Sequence, residues 1–353
     1  MDQDNPALPR LRLDIGILAH NEERDLPEML GDLCQQTLLA DPAVDIQIYF
    51  LANGCSDNTV SVAQAEIDRM PADLARRFQV IDRAEPGKSR TMNWFLREHL
   101  RPEADLVMFV DSDIRLPMAG SMAHMVSEMR SRPELFVFTS RPVKDVVHNK
   151  TPLGPVGRLI AAGREGLTDY RRSIAGSLFV LRADFARRLY IPAGLPVEDG
   201  FIRGMILTEF LSQPEDFTRI DGHHDVFHLY ESVLTPGALV RHQTRIVLGS
   251  AVNAAMYKRM RRIAPTATKA ITLLQEASEN DSWLAQMLKE ELPQAPYGYI
   301  PFRFLTKRLT VFRSRKSKSL RSALMLVPGL ALDTIAWAWA SLRMARGAGS
   351  GFW

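Results

Sequence analysis

A chain of 353 residues is too long for one small domain, yet a single catalytic domain with an appendage fits it well. With 46% hydrophobic and 24% charged residues it holds enough apolar material for a substantial core, which excludes disorder throughout. Its two cysteines, Cys34 and Cys55, exclude a disulfide framework and a CxxC metal or redox site, and a net charge of +3 excludes a protein that is basic all over.

The first residues, MDQDNPALPRLRLD, are polar and acidic, with no basic stretch leading into an apolar run. No secretory signal is expected there, which places the chain in the cytoplasm. Short apolar runs rich in β-branched residues then alternate with longer amphipathic stretches, the rhythm of an α/β sheet with crossover helices. Strands are expected at Leu13 to Ala19, Asp45 to Ala52, Gln79 to Asp82 and Leu106 to Val110. Helices are expected at Asp25 to Gln36, Asn58 to Arg69, Lys88 to His99 and Met118 to Arg130. Each strand ends in a polar turn, in order AHNEE, ANGCSDN, AEPGKS and DSD. Ligands of open α/β sheets bind beyond the carboxyl ends of strands, so these turns should converge. A further strand is expected at Ser177 to Leu181 and a short helix at Ala183 to Tyr190; from about Arg241 the pattern turns helical.

The segment LVMFVDSD carries the strongest chemical signal. Its apolar run reads as a buried strand, and period-2 alternation sends Asp111 and Asp113 to one side with Ser112 opposite. Two carboxylates at a strand end make a hard oxygen site for Mg²⁺ or Mn²⁺; the plainer alternative is a solvated turn. A divalent ion there would act as a Lewis acid on a diphosphate leaving group.

These turns together resemble family 2 glycosyltransferases over roughly Leu13 to Gly204. The resemblance implies a GT-A fold, an α/β architecture with a mixed sheet flanked by helices, here followed by a helical C-terminal appendage. It implies that Ala19, Asn21 and Glu22 of ILAHNEE lie against the donor nucleoside, although Asn21 and Glu22 are also ordinary helix-capping types. In LANGCSDNT, Asp57 matches a donor-binding aspartate, while Asn53 stands where the family more often has aspartate. Ordinary turn chemistry explains the same residue types without a ligand. In AEPGKSRTMN, Lys88 suits a diphosphate and Asn93 sits on the following helix; a lysine at a helix start is electrostatically odd, and an anion beside it would remove the oddity. Asp111 and Ser112 are expected on the donor, and Asp111 and Asp113 on the metal.

The segment GLPVEDGFIRG resembles the family's E-D pair near the acceptor, making Asp199 the expected base with Glu198 beside it. In isolation the same residues would read as an acidic surface loop. Gly176 and Ser177 resemble the small residues of the acceptor side, and close strand packing is their alternative. RHQTRI lacks the spacing and the tryptophan of processive synthases, so polymerisation is not expected; Arg241 and Arg245 are either diphosphate contacts or a solvated face. His223 or His224 of DGHHDVFH could complete a metal site, with structural or acceptor-side roles the alternatives.

Eight basic residues fall between Arg303 and Arg321 (Arg303, Lys307, Arg308, Arg313, Arg315, Lys316, Lys318, Arg321), and removing them from a net +3 leaves −5. They precede the 21-residue stretch Ser322 to Leu342, which contains Trp337 and Trp339. Asp333 would cost about 2.5 to 3.5 kcal/mol at a bilayer centre, so a segment lying on an anionic membrane surface is expected rather than one crossing it. A helix packed on the catalytic domain is the alternative. RNA-binding aromatic platforms are absent, and no nucleic-acid partner is expected.

The expected organisation is a catalytic domain over 1–240, a helical accessory region over 241–302 and a basic amphipathic membrane-associating segment over 303–353. The expected activity is inverting transfer of a sugar from a nucleoside diphosphate donor, UDP-linked, to a hydroxyl of a glycan or lipid-linked acceptor, at the inner face of the cell membrane. A sugar-1-phosphate nucleotidyltransferase would need a Gly-rich N-terminal loop that AHNEERD does not supply. A non-catalytic sugar- or membrane-binding module would have no need of Asp111, Asp113 and Asp199.

Overall fold

The computed structural model describes residues 10–154, 157, 169–292, 300–314 and 326–346. In chain order it contains β1 (Leu11–Ala19), α1 (Leu26–Cys34), β2 (Val44–Asn53), α2 (Thr59–Asp68), β3 (Phe78–Arg83), α3 (Lys88–Trp94), β4 (Leu106–Asp111) and α4 (Ser121–Ser131). There follow β5 (Val137–Lys144), β6 (Leu178–Arg182), α5 (Glu198–Leu207) and β7 (Ile220–Tyr230). Five helices complete it: α6 (Pro236–Ile263), α7 (Ala267–Glu279), α8 (Trp283–Glu291), α9 (Arg303–Ser314) and α10 (Leu326–Ala345).

The seven strands form one mixed sheet in the order β3-β2-β1-β4-β6-β5-β7. β1 runs parallel to β2 and β4, and β2 to β3, whereas β6 is antiparallel to β4 and β5. Every strand expected from the sequence is present within two residues of its expected bounds. β5 and β7 were not expected. β5 reads VFTSRPVK and buries Thr139 and Ser140 completely, so each of its two faces carries a hydroxyl that breaks the apolar pattern.

Several helices are shorter than their amphipathic patterns. α4 starts at Ser121 rather than Met118, because Pro117 and Gly120 precede it. The expected helix over Lys88 to His99 is α-helical only to Trp94 and continues as a π-turn over Phe95–His99. The one expected over Ala183 to Tyr190 is a single turn, Ala183–Ala186. The guanidinium of Arg97 donates to the carbonyls of Ala186 (3.0 Å) and Leu189 (2.6 Å), satisfying groups that a longer helix would have used internally.

The contacts divide the chain into two compact units. The first comprises the described parts of Met1–Val143, Leu167–Leu189 and Asp216–Tyr230. Alternation along β1 sends Leu13, Ile15 and Ile17 into a core shared with Ile46, Ile48, Phe50, Met108 and Val110, covered by α1 and α4. The other face is aromatic: the Phe109 ring lies 5.8 Å from Phe95 and 5.4 Å from Phe179. Gly16 suits the close approach on that face, since a Cβ there would lie 3.1 Å from the Phe95 ring and press on it. Asp14, also on that face, is fully buried, and Arg101 neutralises it through Nε at 2.6 Å and its backbone N–H at 2.8 Å.

The second unit comprises the described parts of Lys144–Gly166, Tyr190–Glu215 and Glu231–Trp353. In it α10 packs on α6 and on α9. Asp333, whose cost at a bilayer centre argued against a crossing helix, is buried and held by Arg308 of α9 through two bonds of 2.7 and 2.9 Å. Arg308 thus serves the helix hairpin rather than a lipid headgroup. Arg315, Lys316, Lys318 and Arg321 of the basic run lie outside the described residues. Among the described residues no helix is long and apolar enough to cross a membrane.

Candidate functional site

The first unit gathers the turns at the carboxyl ends of β1, β2, β3 and β4, and hydrogen bonds tie them to one another. Asn53, the last residue of β2, is almost fully buried. Its Nδ2 donates to the carbonyl of Ala19 (2.7 Å), and its Oδ1 accepts from the N–H of Gly87 (3.1 Å). One amide therefore joins three turns, using its donor and its acceptor at once. An aspartate here would set a carboxylate oxygen against the Ala19 carbonyl, so this position suits an amide. Close packing adds a second tie: Gly54 has φ +61°, and a Cβ on it would fall 2.7 Å from Pro86.

Asn21 takes the left-handed conformation (φ 57°) that asparagine tolerates, and its Oδ1 accepts from Ser56 N–H at 2.7 Å. The backbone N–H of Glu22 donates to Thr59 Oγ1 at 2.7 Å. Asp57 accepts from Thr59 N–H (3.0 Å), Thr59 Oγ1 (2.5 Å) and Glu23 N–H (3.2 Å). Asn21 and Asp57 thus brace the β1 and β2 turns against each other. Thr59, which receives Glu22, closes the LANGCSDNT segment and was not among the expected site residues.

Lys88, at the start of α3, reaches across to the β4 turn. Its Nζ lies 2.5 and 2.8 Å from the two carboxylate oxygens of Asp111 and 3.3 Å from the carbonyl of Gly176. The anion expected beside this lysine is supplied by the protein itself. Asp111 N–H donates to Ser177 O (2.8 Å), and Ser112 N–H to Leu18 O (3.1 Å). Ser112 is buried while Asp113 is exposed, as the alternation at a strand end requires. Asn93 is buried on α3.

The electrostatics are those of crowded carboxylates. Burial first, and then the charges of Asp113, Asp25, Asp111 and Asp57, push Glu22 up to about 8. Desolvation and the neighbouring Asp111 push Asp113 up to about 6 against the pull of Lys88, although part of Asp113 reaches solvent. Such repulsion is relieved by a cation, and paired carboxylate oxygens suit a hard one. No group of three or more His, Cys, Asp or Glu side chains able to hold a metal occurs among the described residues. Two protein carboxylates alone leave most of a divalent ion's coordination to other ligands. His223 stacks on His124 at 4.9 Å, and its Nδ1 accepts from Asp225 N–H, so its contacts are with α4 and its own strand.

Glu198 and Asp199 belong to the second unit, where they are the first two residues of α5 rather than a loop. Asp199 Oδ1 accepts from the N–H of Gly200 at 2.6 Å. An acidic pair in the first turn suits the positive end of a helix.

A mixed sheet with acidic turns at the ends of its central parallel strands is the GT-A fold of glycosyltransferases. Residues 14–181 match the family described as Glycosyl transferase family 2, and the chain is a glycosyltransferase of that family over this region. Among solved structures it is similar to a mannosyltransferase from Pyrobaculum calidifontis in complex with GDP-Man and Mn²⁺. That match has 15% identity, 96% of this chain and 87% of that chain covered, and a TM-score of 0.53. Two further matches are more distant. Mannosyl-3-phosphoglycerate synthase from Rubrobacter xylanophilus has 16% identity, 72% and 76% coverage and a TM-score of 0.46. Glucosyl-3-phosphoglycerate synthase from Mycobacterium tuberculosis, in complex with Mg²⁺ and UDP, has 17%, 70% and 79%, and 0.44. No curated protein matches the chain in sequence.

Proposed function

We propose that the chain transfers a sugar from a nucleoside diphosphate donor, UDP-linked, to a hydroxyl of a glycan or lipid-linked acceptor, with inversion. The observation that carries this reading is the link from Lys88 to Asp111 and Gly176 at the ends of the parallel strands. It puts one ammonium group among carboxylates where a diphosphate and a divalent ion would each find a partner. Mg²⁺ or Mn²⁺ held by Asp111 and Asp113 would supply Lewis-acid stabilisation of the leaving diphosphate, whose oxygens would complete the coordination. Ala19, Asn21, Glu22, Asn53 and Asp57 would line the nucleoside side, Lys88, Asn93 and Ser112 would contact the donor, and Gly176 and Ser177 would border the acceptor side.

In the transfer the acceptor oxygen forms its bond to the anomeric carbon as the bond from that carbon to the diphosphate oxygen breaks. The electron pair leaves with the nucleoside diphosphate, and the hydroxyl proton passes to Asp199. Glu198 is the second carboxylate of the pair.

A lipid-linked acceptor is favoured by the exposed apolar side chains Val327, Ile335, Trp339 and Leu342 of α10 and Phe302 just before α9. Such groups, with Arg313 and Arg343 also exposed on these helices, suit an anionic membrane surface. Replacing Ile335 and Trp339 with serine should abolish sedimentation with anionic vesicles, and unchanged sedimentation would remove the membrane part of the reading.

The transfer reading is tested at Asp199. Asp199→Asn keeps size but loses the proton acceptor, so turnover should fall by about 10² to 10⁴ with donor affinity unchanged. Glu198→Gln should be milder. Near-normal turnover of Asp199→Asn, or a product retaining the donor's anomeric configuration, would overturn the mechanism.

A further inference from the structure

The long helix α6 carries Arg241 and Arg245 near its start and no other residue weighed for the site, yet one of its faces is built to grip the start of α5. Gly249, Asn253 and Tyr257 are spaced by four and so share one stripe. Gly249 lies so close to Val197, the residue preceding α5, that a Cβ on it would fall 2.2 Å from Val197 Cγ2. One turn on, Asn253 Nδ2 donates to the carbonyl of Val197 at 3.2 Å. One turn further, the hydroxyl of Tyr257 donates to the carbonyl of Gly200 at 3.0 Å. The fit is mutual, because a Cβ on Gly204 of α5 would fall 2.5 Å from that same hydroxyl.

The contacts of Gly249, Asn253 and Tyr257 with Val197 and Gly200 bear on the residues that bracket Glu198 and Asp199. Packing alone does not account for the chemistry chosen. Asn253 is buried and its Oδ1 has no hydrogen-bond partner, a penalty that a leucine or methionine would avoid. Burial raises the pKa of Tyr257 far above the ordinary phenol range, so its proton stays available for the Gly200 carbonyl. Beyond the end of α5, Glu209, Phe210 and Leu211 adopt left-handed φ values of 45°, 56° and 65°, so the helix is fixed at its far end as well.

We infer that Gly249, Asn253 and Tyr257 form a positioning stripe that sets the first turn of α5 and thereby the direction of the Glu198 and Asp199 carboxylates. The helical region after the sheet is then part of the catalytic machinery rather than an accessory. None of the three residues touches substrate; they act through the backbone of Val197 and Gly200. The inference rests on the reading of Asp199 as base.

The test uses the full chain carrying Gly249→Ala, Asn253→Ala or Tyr257→Phe, the last being the mildest change. Turnover is measured with a UDP- or GDP-hexose and an n-octyl glycoside acceptor, donor-site integrity by calorimetry with UDP and Mn²⁺, and backbone order by hydrogen exchange over 197–204. Gly249→Ala and Asn253→Ala should lower kcat about tenfold or more, leave UDP affinity and donor KM within twofold, and speed exchange in 197–204. Adding Gly249→Ala to Asp199→Asn should cause no further loss, since a misdirected carboxylate and an absent base fail in the same way. An inactive Asp199→Asn beside fully active stripe variants would overturn the inference, as would losses that multiply in the double variant or a parallel loss of UDP binding. An active Asp199→Asn would instead overturn the base assignment, and slow exchange retained in all three variants would then overturn the stripe independently.

Discussion

The ammonium of Lys88 holds both carboxylate oxygens of Asp111, at 2.5 and 2.8 Å, across 23 residues of sequence. A charge-assisted contact of this kind contributes about 1.5 to 3 kcal/mol, and a diphosphate entering the turn would compete with Asp111 for the same ammonium. Lys88→Met should therefore weaken UDP binding about 10- to 100-fold in metal-free buffer. Calorimetry decides it, and an unchanged dissociation constant would remove Lys88 from the donor site.

Arg101 is the partner of a carboxylate with no access to water, since Asp14 is fully buried and Arg101 also reaches Asp45 at 2.8 Å. Removing one member of such a pair leaves an uncompensated charge. Arg101→Met should destabilise the first unit by about 3 to 5 kcal/mol in urea unfolding, and Asp14→Leu in the same chain should recover much of the loss.

His228 is buried with Nδ1 3.0 Å from Ser140 Oγ, and its Nε2 has no partner. Burial lowers its pKa from 6.5 to about 3. The unfolded chain therefore binds a proton that the folded chain does not between these values. Stability from keeping His228 neutral is present above about pH 6.5 and is lost as pH falls towards 3, by up to about 1.4 kcal/mol per pH unit. The double variant His228→Met, Ser140→Ala removes both polar partners. Its unfolding free energy should decline less steeply than that of the parent from pH 6.5 to 4, and equal slopes would show that another group carries the dependence.

Asn53→Asp tests why this chain carries an amide. The substitution replaces the donor to Ala19 by an oxygen, so thermal melts should show a loss of about 1 to 3 kcal/mol at neutral pH. Protonating the new carboxyl restores a donor, and part of the loss should return in acid. A variant as stable as the parent at pH 7 would mean that the Ala19 contact carries no weight.

The parallel half of the sheet was legible because Leu13 to Ala19 and Leu106 to Val110 obey simple alternation and end in turns of recognisable order. β7 was not, because Gly222, His223, His224 and Asp225 interrupt its apolar positions and read as a ligand cluster. Among site residues, the grouping of Lys88 with Asp111 followed from turn order, whereas the direction of the Asn53 amide depends on the carbonyl of Ala19, which no side-chain pattern reveals. Glu198 and Asp199 read in isolation as an acidic loop, and Gly200 and Gly204 depress helix propensity; of the two glycines Gly204 is the one needed where Tyr257 of α6 comes close. The pair Arg308–Asp333 shows the same limit, since a run of positive charge does not disclose that one member faces inward.

Because the Asn53 amide joins the Ala19, Asn53 and Gly87 turns at once, none of the three can open locally while the others stay closed. Native-state hydrogen exchange would see them as one cooperative block, with the amide of Gly87 exchanging at the same opening free energy as its neighbours in the β2 turn. On the proposed reading of the donor site, a ligand that touches only the nucleoside side would then slow exchange at the phosphate side as well. Affinity for the base and order around the diphosphate would be linked through one buried side chain.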